Sequence, residues 1–412
     1  MEKIAFVVVR YGAEINGGAE FHCRMLAERL TKDYQVEVLT TCVKNYVTGG
    51  DEYPEGEEML NGVLIRRFRT NPIDKEKEHS FYKKAKRSRK LRRTLYKLRL
   101  LAPLATIFPV WTYRKKYELG FMNSNVFYSS AEFDFIREHA NEYKVFIPIS
   151  LDYPHMYYTT LYAPKKTIVI PTMHNHSISF RSILTEVFTR AAYIGFNTQA
   201  EERLAQKIFG PKMSPHGIIS VGIQMAQPAD WEITQEKYNI PDEYLLYVGR
   251  VDSCKTDNLF KYFSLFKKEC PNSRLKLVLV GGLFTEQINQ DDIIYTGFVT
   301  ENEKTTIMQH AKIIVNPSRF ESLSLILLEA MSLKKAMLVN GFCNVLYEHC
   351  RKSGKAAVPY YGPRSFVKQL KKLDSSEQLR TKMGEKGADY VKAHYDWSLI
   401  LQKLKDKIES LG

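Results

Sequence analysis

Short runs of Val, Ile, Leu and Tyr alternate with longer stretches of helical periodicity along the whole chain. Apolar runs with no polar interruption are what strands buried on both faces of a parallel sheet look like, and helical stretches between them supply the crossovers. The first half predicts strands at 3–9, 35–40, 63–68, 145–149, 167–170, 194–197 and 218–221. After a polar stretch at 224–242 a second set follows at 244–248, 275–280, 293–296, 313–315, 336–339 and 356–358. The pattern predicts an α/β chain of two similar sheets, with a long helical stretch at 377–394 and a last helix at 397–411.

A length of 412 residues with 44 % hydrophobic content allows two or three domains with full cores. No secretory leader is expected, since Lys3 to Val9 reads as a first strand, and the longest apolar stretch, Leu100 to Trp111, is too short to span a bilayer and is broken by Pro103 and Pro109. The six cysteines have no zinc-ligand spacing, which predicts reduced thiols in a cytosolic chain.

Charge is concentrated in one place. The formal net charge is +14, yet residues 75–116 hold fifteen Lys or Arg against Glu76 and Glu78, a local +13 that leaves +1 for the rest. The core of this segment carries Lys83, Lys84, Lys86, Arg87, Arg89, Lys90, Arg92 and Arg93, and it runs into the apolar stretch ending at Trp111. Basic residues followed by Leu, Ile, Phe and Trp suit a segment lying on an anionic membrane surface, with these residues as its contacts. A nucleic-acid patch and a solvated insertion are the competing readings.

The chemistry concentrates around Phe320-Glu321-Ser322-Leu323-Ser324-Leu325, followed by an apolar helix with Glu329 as its only charge. A carboxylate inside such a helix needs amides, a cation or ligand hydroxyls around it. Glu321 sits between a strand and a helix N-terminus, a place where open α/β sheets bind phosphorylated ligands. The structural alternative has Glu321 capping the helix and Glu329 paired with Lys334 or Lys335. Gly249-Arg250-Val251-Asp252-Ser253-Cys254-Lys255 ends another strand, so two cations five residues apart can reach a diphosphate leaving group. Gly12-Ala13-Glu14-Ile15-Asn16-Gly17-Gly18-Ala19-Glu20 follows the first strand, and paired glycines at a helix start allow close backbone approach to an anion. Pro171-Thr172-Met173-His174-Asn175-His176 closes a strand of the first half.

The carboxylate block, with Asn316-Pro317-Ser318 before it and Ala336 to Gly341 after it, resembles the signature of retaining glycosyltransferases of family 4. That resemblance implies the GT-B architecture, two Rossmann-like doubly wound domains facing each other across a cleft. It implies domains at 1–223, carrying the basic insertion, and 224–394, with 395–412 crossing back to the first. Glu321 and residues Ser322, Leu323, Ser324 and Leu325 then face the donor sugar, Glu329 holds the ribose, and Arg250 with Lys255 holds the diphosphate. Gly281-Gly282 and Gly297-Phe298-Val299 resemble loops along the phosphates and base, Gly17-Gly18 the glycine loop near donor and acceptor, and His174 a histidine facing the donor sugar. Ser322, Ser324 and Thr256 stand where the family usually has glycine.

The implied function is transfer of a sugar from a nucleotide-diphosphate sugar to a lipid-linked or polysaccharide acceptor, with retention. The expected setting is cell-envelope polysaccharide biosynthesis on the inner face of the membrane, with no nucleic-acid partner. No Asp-x-Asp motif occurs, so neither a metal nor another cofactor is expected. The rival readings are a nucleotide-sugar 2-epimerase and a non-catalytic basic membrane- or RNA-binding protein on a transferase scaffold.

Overall fold

The computed structural model describes residues 1–15, 17–45 and 48–411, so Asn16 of the glycine loop lies outside the described residues. The chain divides into two compact units, one of Met1–Val221 with Ile400–Gly412 and the other of Gly222–Leu399.

The N-terminal unit is built on β1 (Lys3–Val7), β2 (Gln35–Thr41), β3 (Gly56–Leu60), β4 (Val63–Phe68) and β5 (Val145–Pro148), in the spatial order β3-β4-β2-β1-β5. A further sheet of β6 (Ile168–Val169), β7 (Tyr193–Phe196) and β8 (His216–Ile218) continues beyond β5 through parallel bridges from Phe146 to Thr167 and from Ile149 to Ile170. Ile4, Ala5, Phe6 and Val7 are fully buried, as expected of a central parallel strand covered on both faces. β3 is absent from the predicted set. It pairs antiparallel with β4 across Asn61-Gly62, both at positive φ (51° and 81°), the geometry a two-residue hairpin needs. β8 ends three residues before the predicted strand does, because Ser220 adopts a left-handed φ of 68°.

The C-terminal unit has six strands, all parallel: β9 (Tyr244–Val248), β10 (Lys276–Val280), β11 (Ile293–Gly297), β12 (Ile313–Asn316), β13 (Met337–Asn340) and β14 (Ala357–Tyr360). Their order is β11-β10-β9-β12-β13-β14. Strand order therefore reverses between β9 and β12. In doubly wound sheets the loops leaving the carboxyl ends of two such strands diverge and leave a crevice for ligand.

The last helix, Trp397–Glu409, buries Ile400, Leu404 and Ile408 along one stripe. Lys405 pairs with Asp33, and Glu409 accepts from the Tyr34 hydroxyl and from Lys144.

The basic segment folds as a helix, Lys75–Lys97, capped by Asp74, followed by the helices Leu101–Ile107 and Lys115–Asn123. Here the membrane assignment needs correction at three residues. Arg89 is buried and forks onto the buried Glu118 at 2.6 and 2.8 Å. Arg92 is buried between the Trp111 and Phe209 rings, and Trp111 is half-buried, its indole N–H donating to Ser88 Oγ. The cause is helical spacing, since Ala85, Ser88, Arg89 and Arg92 form one stripe turned inward. Lys83, Lys84, Lys86, Arg87, Lys90 and Arg93 remain exposed. The apolar run is divided in the same way, with Leu101 and Ala105 buried while Ile107 and Phe108 stay 70 % and 63 % exposed. Among the described residues no helix is long and apolar enough to cross a membrane.

Candidate active site

Both motif loops of the C-terminal unit leave the carboxyl ends of the strands flanking the reversal. After β9 the chain turns through Gly249 and Arg250 to Asp252, whose carboxylate accepts from the N–H groups of Cys254 and Lys255. This cap starts the short helix Ser253–Thr256 and fixes where the Lys255 side chain begins. Lys255 Nζ reaches across to donate to Glu321 Oε1 at 2.9 Å and lies 3.4 Å from the Phe320 carbonyl. Arg250 is 57 % exposed, with Nε 3.6 Å from Asp252 Oδ2. A second ion pair, Arg319 to Asp257 at 3.2 Å, ties the same two loops together. Gly281 (φ 132°) packs so closely on Gly249 that a Cβ there would run into the Gly249 carbonyl, which accounts for glycine at that crossing.

The loop after β12 is held by the strand that precedes it. Asn316 donates from Nδ2 to Ser324 Oγ at 2.8 Å and accepts from Ser318 N, while Asn340 at the end of β13 donates to the Pro317 carbonyl. Ser324 is the N-cap of the helix Leu325–Ser332 at a left-handed φ of 70°, with no side-chain cap. Glu321 therefore does not cap this helix. Leu323 and Ser324 are buried, and Glu321 and Ser322 are half-buried. Val299 lies half-buried in the turn between β11 and the helix Glu301–His310.

Glu329 sits on the buried side of the helix with its side chain 9 % exposed. Its partner is Lys304, 3.3 Å from Oε1, where the structural alternative had Lys334 or Lys335, and Lys304 is shared with Glu301. Among the described residues, Oε2 of Glu329 is buried without a hydrogen-bond partner. Burial pushes this carboxyl above its ordinary value, a rise that Lys304 limits. Burial alone would lower the Lys304 ammonium, but Glu329 and Glu301 outweigh it and hold it above its usual value. A carboxyl group paired with Lys304 through one oxygen, with the other left over in a buried position, is placed to accept from a ligand hydroxyl when ionised.

In the N-terminal unit, strand order reverses between β1 and β5, and the glycine turn follows β1. Gly17 is the N-cap of the helix Gly18–Leu30, where a Cβ would collide with the Glu20 carboxylate. Among the described residues, nothing stands within 4 Å of a Cβ at Gly18. Glu20 is held by Arg10 at 2.6 Å. His174 is half-buried in the loop after β6, and its carbonyl accepts from His176 N and Ser179 Oγ. That loop is anchored by the buried Glu201, which accepts from Met173 N and Asn197 N at 2.5 and 2.7 Å. Burial raises the Glu201 carboxyl to about 8, against the pull of those backbone donors.

Three supporting roles at these sites escaped the sequence reading, those of Asp252, Lys304 and His349. Asp252 could have been found, since an Asp two residues before a strand-to-helix turn is a capping signal. Lys304, and His349, whose ring meets the Leu323 carbonyl at 2.9 Å, carried no local signal, because each meets the site only through tertiary packing. Among the described residues no group of three His, Cys, Asp or Glu is placed to hold a metal ion.

Residues 231–390 match the sequence model of glycosyl transferases group 1. The C-terminal unit is a glycosyl transferases group 1 domain. An alpha-D-kanosaminyltransferase of Streptomyces kanamyceticus is 22 % identical over 240 residues, spanning 54 % of this chain and 61 % of that protein. HepE of Anabaena, solved with UDP and glucose, superposes with a TM-score of 0.69 at 12 % identity over all of both chains. Sucrose-phosphate synthase of Thermosynechococcus elongatus superposes with a TM-score of 0.67 at 14 % identity, over 100 % of this chain and 99 % of its own. WaaG, a glycosyltransferase of lipopolysaccharide biosynthesis, does so at 0.63 and 13 % identity over 98 % and 99 %. The glycosyl transferases group 1 domain and these likenesses establish the fold as GT-B.

Proposed function

We propose that this glycosyltransferase moves a sugar from a nucleotide-diphosphate sugar to a glycan acceptor, lipid-linked or polysaccharide, with retention and without a metal. The observation that carries the reading is the convergence at the strand reversal, where Lys255 and Glu321 meet at 2.9 Å and Glu329 keeps a buried oxygen unpartnered. A UDP-bound neighbour of the same fold supports a nucleotide donor, and WaaG supports an envelope acceptor.

In this reading Glu329 Oε2 accepts from the ribose, and Lys255 and Arg250 neutralise the diphosphate. Glu321 and the amides of Ser322–Leu325 take the sugar hydroxyls, and Val299 lies along the nucleotide. The acceptor hydroxyl attacks the anomeric carbon from the face the diphosphate leaves. Its oxygen–carbon bond forms as the carbon–phosphate-oxygen bond breaks, and its proton passes to the departing phosphate oxygen. Developing charge on that oxygen is where fixed cations act most strongly. Gly17, Gly18 and His174 are assigned to the same reaction from the N-terminal unit, on the resemblance of their motifs.

The exposed basic face of Lys75–Lys97, with the uncovered Ile107 and Phe108, is proposed to dock the enzyme on an anionic membrane. The cytoplasmic leaflet has the negative surface potential this face requires.

Purified protein incubated with a panel of nucleotide sugars, with and without lipid-linked acceptor, tests the proposal. Nucleotide release from at least one donor, raised by acceptor, is expected. Release of a free 2-epimer would favour epimerase chemistry, and release from no donor would overturn the reading.

A further inference from the structure

His349 is buried on the helix Asn344–Lys352, and both of its ring nitrogens have partners. Nε2 stands 2.9 Å from the Leu323 carbonyl, in the middle of the loop that carries Glu321. Nδ1 stands 3.1 Å from the Tyr390 hydroxyl, on the helix Glu377–His394. A carbonyl can only accept, so Nε2 must carry the proton and Nδ1 must be the acceptor. The Tyr390 hydroxyl therefore donates to Nδ1, which leaves its oxygen to accept from the Tyr395 hydroxyl at 3.4 Å. The main-chain carbonyl of Tyr395 in turn accepts from Ile223 N, at the segment by which the chain enters this unit.

We infer that His349 is a positioning residue for donor transfer, its Nε2–H fixing the Leu323 carbonyl and thereby the loop that presents Glu321 and the amides of Ser322–Leu325. This rests on reading that loop as the donor loop. Ser324 at φ 70° is a conformation that serine adopts at some cost, so the loop needs anchors on more than one side. Asn316 holds it from the strand and His349 from behind. Burial lowers the imidazole to about 4, which keeps it neutral and its polarity fixed at physiological pH. Glu329, by contrast, is held by Lys304 and not by this relay. The inference therefore separates two functions. Loss of the His349 contact disorders the sugar side of the site and leaves the nucleoside diphosphate side intact.

The test uses the full chain with His349→Leu, His349→Gln and Tyr390→Phe. Glutamine can keep a donor on the Leu323 carbonyl, and leucine cannot. One arm measures amide hydrogen exchange in a peptide covering residues 318–328. The other measures kcat and KM with the nucleotide sugar the wild type turns over fastest, together with the Kd of the matching nucleoside diphosphate. In His349→Leu, exchange in that peptide is expected to rise at least ten-fold and kcat to fall at least ten-fold, with the diphosphate Kd within two-fold of wild type. His349→Gln should restore most of both, and Tyr390→Phe should fall between. Wild-type exchange and kcat in His349→Leu would overturn the inference. So would an equal loss in His349→Gln, or exchange raised throughout the C-terminal unit, which would mark a core residue only. If the wild type turns over no donor, the proposed function has failed, and the exchange arm alone decides whether His349 positions the loop.

Discussion

Lys255 Nζ donates to Glu321 Oε1 at 2.9 Å, joining the loop after β9 to the loop after β12 where strand order reverses. The pair holds the two loops in register before any ligand arrives, and Arg319 with Asp257 repeats the link. In the proposed reading a diphosphate entering this crevice competes with Glu321 for the ammonium, so the cation is already in place when charge develops on the leaving group.

Turnover is therefore expected to persist in excess chelator, with the cations supplied by the chain. Arg250→Ala and Lys255→Met should each lower kcat/KM at least ten-fold, as loss of a charged hydrogen bond worth about 1.5–3 kcal/mol implies. Activity abolished by chelator and restored by magnesium or manganese would show that the leaving group is handled differently.

In the proposed reading Glu329 accepts from the ribose, and it must be ionised to accept on Oε2 while paired with Lys304. Because burial raises its carboxyl, protonation begins at a pH above the ordinary glutamate range. Nucleotide affinity measured by calorimetry should fall as pH drops toward that range, while Glu329→Gln binds roughly ten-fold more weakly and loses the dependence. Stability depends on pH in the opposite direction. Folding favours the neutral form, so the contribution of this group is complete below the unfolded value and is lost as pH rises through the folded one. A pH-independent wild-type affinity would contradict the assignment.

Arg89 and Glu118 form a buried pair, and removing one partner leaves the other charge unpaired. Arg89→Met should destabilise the protein by about 3–5 kcal/mol in urea denaturation, with Arg89→Met/Glu118→Leu recovering much of the loss. Equal stability of the single variant and wild type would mean the pair does not anchor this helix.

For the exposed basic face, cosedimentation with anionic vesicles should weaken as salt rises. Replacing Lys83, Lys84, Lys86, Arg87, Lys90 and Arg93 with Gln should release the protein without changing donor hydrolysis. Arg89 and Arg92 are left out because they are buried and their loss would act through folding. Equal binding to neutral and anionic vesicles would remove the membrane from the account, and tight RNA binding would replace it.

The parallel strands were legible because burial on both faces leaves an uninterrupted apolar run, as in Tyr244–Val248 and Met337–Asn340. β3 was not, because Glu57 and Glu58 lie on an exposed edge and pair with Arg66 and Arg67, so its alternation is masked. The charge count of the basic segment was read correctly, but not its direction. Arg89 and Arg92 turn inward only because Glu118, Trp111 and Phe209 meet them there, and such partners are set by packing. Glu321, Arg250 and Lys255 stood out through motifs at strand ends. Asn316 stood in the flanking motif, but Lys304, which pairs with Glu329, and His349, which meets the Leu323 carbonyl, belong to no pattern along the chain.

The most direct measurement is a crystal structure of the chain with the nucleoside diphosphate released from its best donor, grown in the presence of chelator. The account predicts ribose hydroxyls within hydrogen-bond distance of Glu329 Oε2 and the diphosphate against Lys255 and Arg250. A nucleotide bound away from the ends of β9 and β12, or with Glu329 still turned to Lys304 alone, would contradict it.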